Sequence, residues 1–397
     1  MKKLVRPRLW SLLCHAVGHE VHCLSSTPSA LLVMVGGVVL YGLLYNLLYR
    51  PNVVHDAPVV IVDDSRTPLS RRLIEWIDAS PEVGVVAEAS NRLEAEKLMA
   101  TSKAEAIITI PANLEKRIGL GEEGLFVVSA STAEFLYYEA IQRGSLGAMQ
   151  ALDSVLSQQF ALTLPPDITQ AIASATPANV VGTALFNPTK GYATYLLPSV
   201  LIVIIFQTLL MIACIRSGRE RELGVESQLF GCARPRLDDA VVIVVGRMLT
   251  YVIIYGLFSI FLLGFLPVIF NIPHLAGWLE LITFSLLFLP ATALFALFFS
   301  SLFRDSESGL LILTFFSLGL ILLSGISYPL EQMPALWGFV HHTLPAPVGI
   351  LAFVKLNSLG ATLSECSGQL LTLAVQGLLY FIAATLATLH RLGQFSR

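Results

Sequence analysis

The chain has 397 residues, of which 55% are hydrophobic and only 13% are charged, whereas a soluble globular protein is typically about 25% charged. Together with a mean hydropathy of +0.71, this composition excludes an ordinary soluble domain and indicates a chain built for lipid. The net charge of −3 is accompanied by no arginine-rich stripe or stacking platform, so no nucleic-acid partner is expected.

Apolar runs of about 20 residues, the length that crosses a bilayer, recur along the sequence. The first run ends in Tyr49 and Arg50 and is long enough to span, so it is interpreted as a retained membrane helix rather than a cleaved signal. The sequence predicts six spans, one before a long insertion and five after it: Ala30–Tyr49, Tyr192–Ile215, Val241–Phe265, Leu279–Leu302, Gly309–Ser327 and Leu370–Leu389.

The distribution of Lys and Arg predicts the orientation, because short loops rich in these residues stay on the cytoplasmic side. With the N-terminus inside, the short inner flanks carry many basic residues: Lys2, Lys3, Arg6, Arg8, Arg216, Arg219, Arg221, Arg234, Arg236, Arg247, Arg304, Arg391 and Arg397. The short outer segments after the third and fifth spans carry only Lys355. The sequence therefore predicts a multi-pass membrane protein with both termini cytoplasmic.

The insertion at residues 51–190 alternates apolar strands with helices. Strands are predicted at 59–62, 83–87, 106–110 and 125–129, and a long helix follows from about Ala133 to Phe160. This order is typical of a small α/β domain with a largely parallel sheet. The predicted fold is a polytopic α-helical membrane protein with six transmembrane helices and an inserted extracytoplasmic α/β domain. Its parts are an interfacial amphipathic helix (1–28), the first span (29–50), the inserted domain (51–190) and a five-helix transmembrane domain (191–397).

Two segments of the transmembrane domain stand out. The inner loop at 216–236 combines both charge signs with apolar residues, which fits either an ordinary solvated loop or a docking surface for a partner. The outer segment at 327–347 is moderately apolar but interrupted by prolines, which end helices. It is predicted to form short helices that re-enter the outer leaflet, where surrounding protein can bury them.

These motifs, in this order, resemble those of ABC type-2 exporter permeases. Glu222 and Gly224-Val225-Glu226 resemble the family's coupling loop, and Asn187-Pro188 resembles the entry to its second span. The resemblance implies ATPase contacts at Arg219, Glu220, Arg221, Glu222, Gly224 and Glu226. It also implies a re-entrant gate at Ser324, Gly325, Pro329, Met333, Pro334 and Pro345.

The family resemblance also implies partners. Such a permease works as a dimer with a second copy or a homologue, above separate ATP-binding cassette subunits, and its external domain can meet a periplasmic adaptor. The chain lacks the G-x-x-x-x-G-K-[ST] phosphate loop, so ATP hydrolysis is expected on a partner chain. No catalytic site and no cofactor of its own is expected.

The resemblance further places the second and fifth spans at the dimer centre. Their weakly polar residues would then line the transport path for an amphipathic drug, lipid or similar compound. The alternative is helix–helix packing, which small and hydroxyl side chains also favour. The residues concerned are Tyr195, Ser199, Gln207, Thr314 and Ser317.

The sequence also permits other interpretations of several residues and of the function. His15, His19 and His22 share one helical face, but a membrane-surface helix accounts for this segment without a metal. His341-His342 could relay protons, and Glu280 could be a functional carboxylate or reach outward to the interface. A ligand-sensing receptor acting through the α/β domain is the alternative function. An intramembrane hydrolase is disfavoured because the spans offer no ionisable catalytic set.

Overall fold

The computed structural model describes residues 5–102, 104–120, 122, 124–131, 134–163, 187, 191–222, 236–303, 305, 309–311 and 319–394. The chain divides into two compact units. One consists of Met1–Asn52 together with Ala184–Arg397, and the other is Val53–Thr183. The elements of both units are numbered in chain order.

The first unit is helical. Its described helices are α1 (Val5–Ser26), α2 (Pro28–Leu48), α7 (Tyr192–Glu222), α8 (Leu237–Ile269), α9 (Trp278–Ser301), α10 (Ala335–Thr343), α11 (Pro345–Ser358) and α12 (Ser367–Gln394). Five of them, α2, α7, α8, α9 and α12, are long and apolar enough to cross a membrane. The count rises to six if α10 and α11, which meet at 86°, form one broken span.

The predicted fifth span, Gly309–Ser327, falls partly outside the described residues, which here are helical at 309–311 and 319–322. The count of six spans with a separate outer segment therefore stays a prediction. Two other predicted bounds need correction. The second span's helix continues past Ile215 to Glu222, and the third span's helix begins at Leu237 rather than at Val241.

The spans pack around one apolar core. α9 packs against both α7 and α12. The ring of Phe295 stacks on Phe206 and meets Tyr380 edge-on. α1 crosses α8 closely, because Gly246 has no side chain at the crossing: a Cβ there would lie 2.9 Å from the Cβ of Ala16. Because of this close contact, α1 packs against the helical bundle, although it is not one of the candidate spans.

The second unit is an α/β fold. Its strands are β1 (Ala57–Asp63), β2 (Val83–Ala89), β3 (Ala106–Ile110) and β4 (Val127–Ala130). Its helices are α3 (Pro68–Asp78), α4 (Arg92–Ser102), α5 (Leu114–Gly119) and α6 (Phe135–Thr163). The sheet order is β2-β1-β3-β4. β1 is parallel to both neighbours, and β4 pairs antiparallel with β3.

The burial of β1 explains its unbroken apolar sequence. Val59 and Ile61 face a core shared with α3 and α6, whereas Val60 and Val62 face a second core shared with α4. A strand covered on both faces needs apolar residues at every position. Asp63 ends the strand and accepts hydrogen bonds from the backbone amides of the following turn.

Candidate functional site

Four charged side chains meet inside the helical unit, where α1, α7 and α8 come together. Glu20 belongs to α1, Arg216 and Glu220 to the last two turns of α7, and Arg247 to α8. None of these side chains is more than 8% exposed. Arg216 and Glu220 are four residues apart, so the α-helix places them on one face. We call this group the ion-pair network.

Each carboxylate of the network contacts both arginines. Arg216 Nε lies 2.8 Å from Glu20 Oε1, and its Nη1 lies 2.6 Å from Glu220 Oε1. Arg247 Nη2 lies 3.0 Å from both oxygens of Glu220, and its Nε lies 3.4 Å from Glu20 Oε2. Tyr251, one turn after Arg247, donates its hydroxyl to Glu20 Oε1 at 2.6 Å. The formal charges of the network cancel, which is the condition under which ions are tolerated away from water.

His19 and Cys23 lie at the margin of the network, one turn apart on α1. Cys23 Sγ is 3.4 Å from His19 Nε2, and His19 Nδ1 is 4.0 Å from Glu220 Oε1. Burial lowers the pKa of His19, although the carboxylates of Glu220 and Glu20 oppose this effect. Burial also raises the pKa of the Cys23 thiol, and the same carboxylates raise it further. A neutral imidazole therefore lies beside a protonated thiol at neutral pH.

The other two histidines of the predicted face do not join them. His15 and His22 are exposed, and His15 stacks on His19 at a ring distance of 6.4 Å. The structure instead brings Cys23 and Glu220 close to His19.

The predicted ATPase-coupling residues separate into different environments. Glu220 is only 5% exposed and belongs to the ion-pair network, so it cannot form part of an exposed docking surface. Arg219 and Glu222 are exposed. Gly224 and Glu226 lie outside the described residues. The start of the predicted inner loop is also corrected, because residues 216–222 continue the helix of the second span.

Two of these arginines tie α7 to neighbouring segments. Arg219 donates to Thr27 Oγ1 at 2.9 Å, at the junction of α1 and α2. Arg221 donates to the carbonyls of Ser300 and Ser301 at 3.2 and 3.1 Å, at the end of α9. The final turn of α7 is therefore linked to several helices immediately before residue 223.

The predicted gate residues lie around the approach to α10 and α11. Ser324 is buried and donates to the carbonyl of Ile321 at 2.6 Å. Gly325 has φ +87°, a backbone conformation that favours glycine. Pro329 and Met333 flank a 3₁₀ turn, Pro334 precedes α10 and Pro345 is the first residue of α11.

Side chains of α12 satisfy the carbonyls freed at the bend between α10 and α11. Gln376 Nε2 donates to the carbonyls of His342 and Leu344 at 2.8 and 3.3 Å. The Tyr380 hydroxyl donates to the carbonyl of Thr343. Helix breaks at membrane depth need such internal partners. His341 is buried and hydrogen-bonded to the carbonyl of Leu323 at 2.7 Å.

Of the predicted path residues, Gln207 borders a cavity of about 620 Å³ between α2 and α7. The cavity is mostly apolar, with Tyr41, Tyr45, Gln207 and Thr208 as its polar side chains. Its α2 wall includes part of a π-helical segment, Leu32–Gly37, and such segments often mark functional positions.

The remaining path residues have other environments. Tyr195 donates its hydroxyl to the carbonyl of Ile326 at 2.9 Å, and Ser199 is fully buried. Neither borders the cavity. Thr314 and Ser317 lie outside the described residues.

Sequence reasoning missed two members of the ion-pair network, Glu20 and Arg247, and the neighbouring Tyr251, which donates to Glu20. The sequence places Arg247 among the charges of the inner flanks, and Glu20 follows His19 in the segment that a membrane-surface helix accounts for. One signal was available. Arg247 interrupts an otherwise apolar predicted span, and an ionisable residue within a span usually has a specific partner.

The structure defines a polytopic helical membrane protein with a buried, charge-balanced network among its helices. Residues 28–386 match the family model described as ABC-2 family transporter protein, and the chain belongs to this family. The resemblance drawn from the coupling and proline motifs is thereby confirmed. A comparison with curated proteins found no match. The chain is thus a permease, the membrane component of an ABC transporter.

Proposed function

We propose that this permease exports amphipathic or hydrophobic compounds, such as drugs or lipids, using ATP hydrolysed by a separate subunit. The observation that carries the proposal is that α7 extends without a break from the cavity to the predicted coupling segment. This single helix lines the apolar cavity at Gln207 and ends at Glu222, next to the segment that resembles the coupling loop. About 22 Å of helix joins the two positions, at 1.5 Å per residue.

Coupling in this proposal runs from the 216–236 segment through α7. The ATPase docks on this segment at Arg219 and Glu222, which are exposed, and at Gly224 and Glu226, which the family resemblance assigns to the coupling loop. Arg221 and the buried Glu220 act instead by holding the end of α7 to its neighbours. Because the ion pairs fix this end to α1 and α8, a push from the ATPase moves the helices together rather than bending the last turn.

The transport path includes the cavity between α2 and α7. Its apolar walls suit a hydrophobic body, and its few hydroxyl and amide groups suit a polar end without burying a charge. The path is completed by a second copy of the chain or a homologue. The family resemblance adds Tyr195, Ser199, Thr314 and Ser317 to the residues that line it. The proline-rich segment, Ser324 to Pro345, forms a re-entrant gate at its outer end.

Orientation follows the positive-inside rule. Both termini and the 216–236 segment face the cytoplasm of a bacterial cell, and the α/β unit lies on the outer side of the inner membrane. There the unit can meet a periplasmic adaptor.

The proposal is tested with Gln207→Trp in proteoliposomes that contain the permease and its ATPase. The added ring fills part of the cavity, so ATP-dependent efflux of a hydrophobic fluorescent probe should fall by about tenfold, equivalent to about 1.4 kcal/mol. Dimer abundance and ATPase binding should be unchanged. Leu378→Trp is the control, because Leu378 is 63% exposed on α12 and adds the same bulk away from the cavity.

Each other outcome has a defined meaning. Loss of the dimer in Gln207→Trp would make Gln207 a packing residue and move the path elsewhere. Efflux by the permease without any ATPase subunit, or with an ATPase unable to hydrolyse ATP, would overturn the proposed function.

A further inference from the structure

We propose that His19, Cys23 and Glu220 form a binding site for a borderline-soft divalent cation such as Zn²⁺, which bridges α1 and α7. The site is independent of the exported substrate. Among the described residues, these three are the group of His, Cys, Asp and Glu side chains whose donor atoms converge, all within 4.8 Å of one another.

The helix spacing makes two of the ligands a pre-arranged pair. His19 and Cys23 are four residues apart on α1, so their side chains project from the same face. The same spacing places two zinc-binding histidines in the H-E-x-x-H motif. Cys23 Sγ lies 3.8 Å from His19 Nδ1. A tetrahedral zinc ion bound at ordinary Zn–S and Zn–N lengths separates these atoms by about 3.5 Å.

Glu220 supplies the third donor from the other helix. Its Oε1 lies 4.0 Å from His19 Nδ1, slightly farther than the roughly 3.4 Å expected for nitrogen and oxygen ligands of one zinc ion. Arg216 and Arg247 donate to this carboxylate and fix its orientation. Hydrogen-bonded outer partners of this kind are typical of metal-ligating carboxylates.

The electrostatic balance of the surroundings permits a cation. The charges of Glu20 and Glu220 already offset those of Arg216 and Arg247, so a dication meets no net positive charge. When Cys23 binds as a thiolate, its proton leaves to solvent and its negative charge offsets half of the cation's charge. The His19 side chain is 14% exposed, so water can reach the site and complete a four-coordinate shell.

The location gives the site a structural consequence. Two ligands belong to α1, and the third lies two residues before the end of α7 at Glu222. A bound cation therefore cross-links α1 to α7 close to the point where α7 ends and the 223–235 segment begins. Binding to the folded protein alone also raises its thermal stability.

The test uses the full-length protein, purified in detergent without a polyhistidine tag and titrated with Co²⁺. Cobalt–thiolate coordination gives a charge-transfer absorption band, which Zn²⁺ should displace. We expect Cys23→Ser to abolish the band and His19→Ala to weaken Co²⁺ binding by more than about a hundredfold, since changes to outer partners alone cost about 10–100-fold. Cys14→Ser and His22→Ala are matched controls, because both residues are exposed on the same helix.

A second measurement does not depend on the folding of any variant. In the unsubstituted protein, Zn²⁺ should slow alkylation of Cys23 by a maleimide and leave alkylation of Cys14 unchanged, as read by mass spectrometry. A charge-transfer band that persists in Cys23→Ser or disappears in Cys14→Ser would overturn the proposal. So would equal alkylation of Cys23 with and without Zn²⁺, which would leave only a hydrogen bond between Cys23 and His19.

Discussion

The ion-pair network depends on being complete. Arg216 lies within 2.8 Å of both carboxylates, and Arg247 also contacts both. A complete buried network adds little net stability, because desolvation of the ions offsets their attraction. An incomplete one costs much more, since a charge is left buried without its partner. We infer that the network selects one register of α1 against α7 and α8 rather than strengthening the fold in general.

Replacement of Arg216 should therefore destabilise the protein strongly. In Arg216→Met the side chain keeps a similar length, but Glu20 and Glu220 are left with Arg247 as their only cationic partner within the network. We expect the free energy of unfolding in detergent to fall by about 3–5 kcal/mol. Chemical denaturation followed by helix content measures the change.

Two comparison variants make the result specific. Arg219→Ala, on the exposed side of the same helix turn, should cost less than about 1 kcal/mol. Adding Glu220→Gln to Arg216→Met restores charge balance between Glu20 and Arg247, and should recover part of the loss. Equal stability of Arg216→Met and the unsubstituted protein would show that the network carries no such role.

The network also marks the limit of what residue patterns reveal. The sequence identified the mixed charges at 219–222, because they are adjacent along the chain. It could not group Glu20 with Arg247, which are far apart in sequence and meet only because Gly246 lets α1 approach α8. The burial of Glu220 was not predicted either, since local sequence does not show which face of a helix end is covered.

At the scale of elements, side chains of a third helix, α12, hold the bend between α10 and α11. Leu344 lies between the two helices, and Pro345 begins the second one. A Pro at the first helical position is compatible with a helix start and disfavours helical backbone before it. The carbonyls of 342–344 consequently lack partners within a continuous helix, and Gln376 and Tyr380 on α12 supply them. α12 thus fixes the angle of the segment predicted to be re-entrant.

Removal of these donors should loosen the bend. Gln376→Leu keeps the volume but leaves the carbonyls of His342 and Leu344 without this donor, at a cost of about 1–3 kcal/mol in unfolding free energy. Tyr380→Phe should act in the same direction. Thermal unfolding and limited proteolysis near 340–347 provide the measurements.

The control for the bend is Tyr328→Phe, because Tyr328 is 50% exposed and no hydrogen bond of the bend involves it. It should behave like the unsubstituted protein. If Gln376→Leu and Tyr380→Phe leave both unfolding and cleavage unchanged, α12 does not hold the bend.

Elements were easier to predict than the contacts between them. Apolar runs located α2, α7, α8, α9 and α12 because lipid imposes composition on every exposed position. The π-helical segments Leu32–Gly37 and Ile260–Phe265 were not predicted, since one extra residue in a turn leaves the apolar run unchanged. The sheet was predicted as largely parallel, and the antiparallel pairing of β4 depends on a partner that its short sequence does not specify.

For the whole molecule, α7 is the element that fixes the topology. It connects residue 191, which follows the α/β unit in sequence, with the segment that begins at 223. Its 31 residues extend about 46 Å at 1.5 Å per residue, longer than the roughly 30 Å hydrocarbon core. If α7 spans the bilayer, its two ends lie on opposite sides, and the arginines at 216–221 favour the cytoplasmic side for its C-terminal end.

Single cysteines in a variant without the native ones should therefore report opposite sides. Glu96→Cys and Lys116→Cys are exposed positions of the α/β unit, and Leu237→Cys and Asp238→Cys are exposed positions at the start of α8. In intact spheroplasts, a membrane-impermeant maleimide should label the first pair, because they lie outside in the proposed orientation. The second pair should be labelled only after permeabilisation, since the positive-inside rule holds the arginine-rich end of α7 in the cytoplasm.

Inverted vesicles are the control for reagent access to each position. In them the second pair should be labelled and the first pair protected. Labelling of the second pair alone in intact spheroplasts would invert the orientation, and labelling of both pairs from one side would mean that α7 does not separate them.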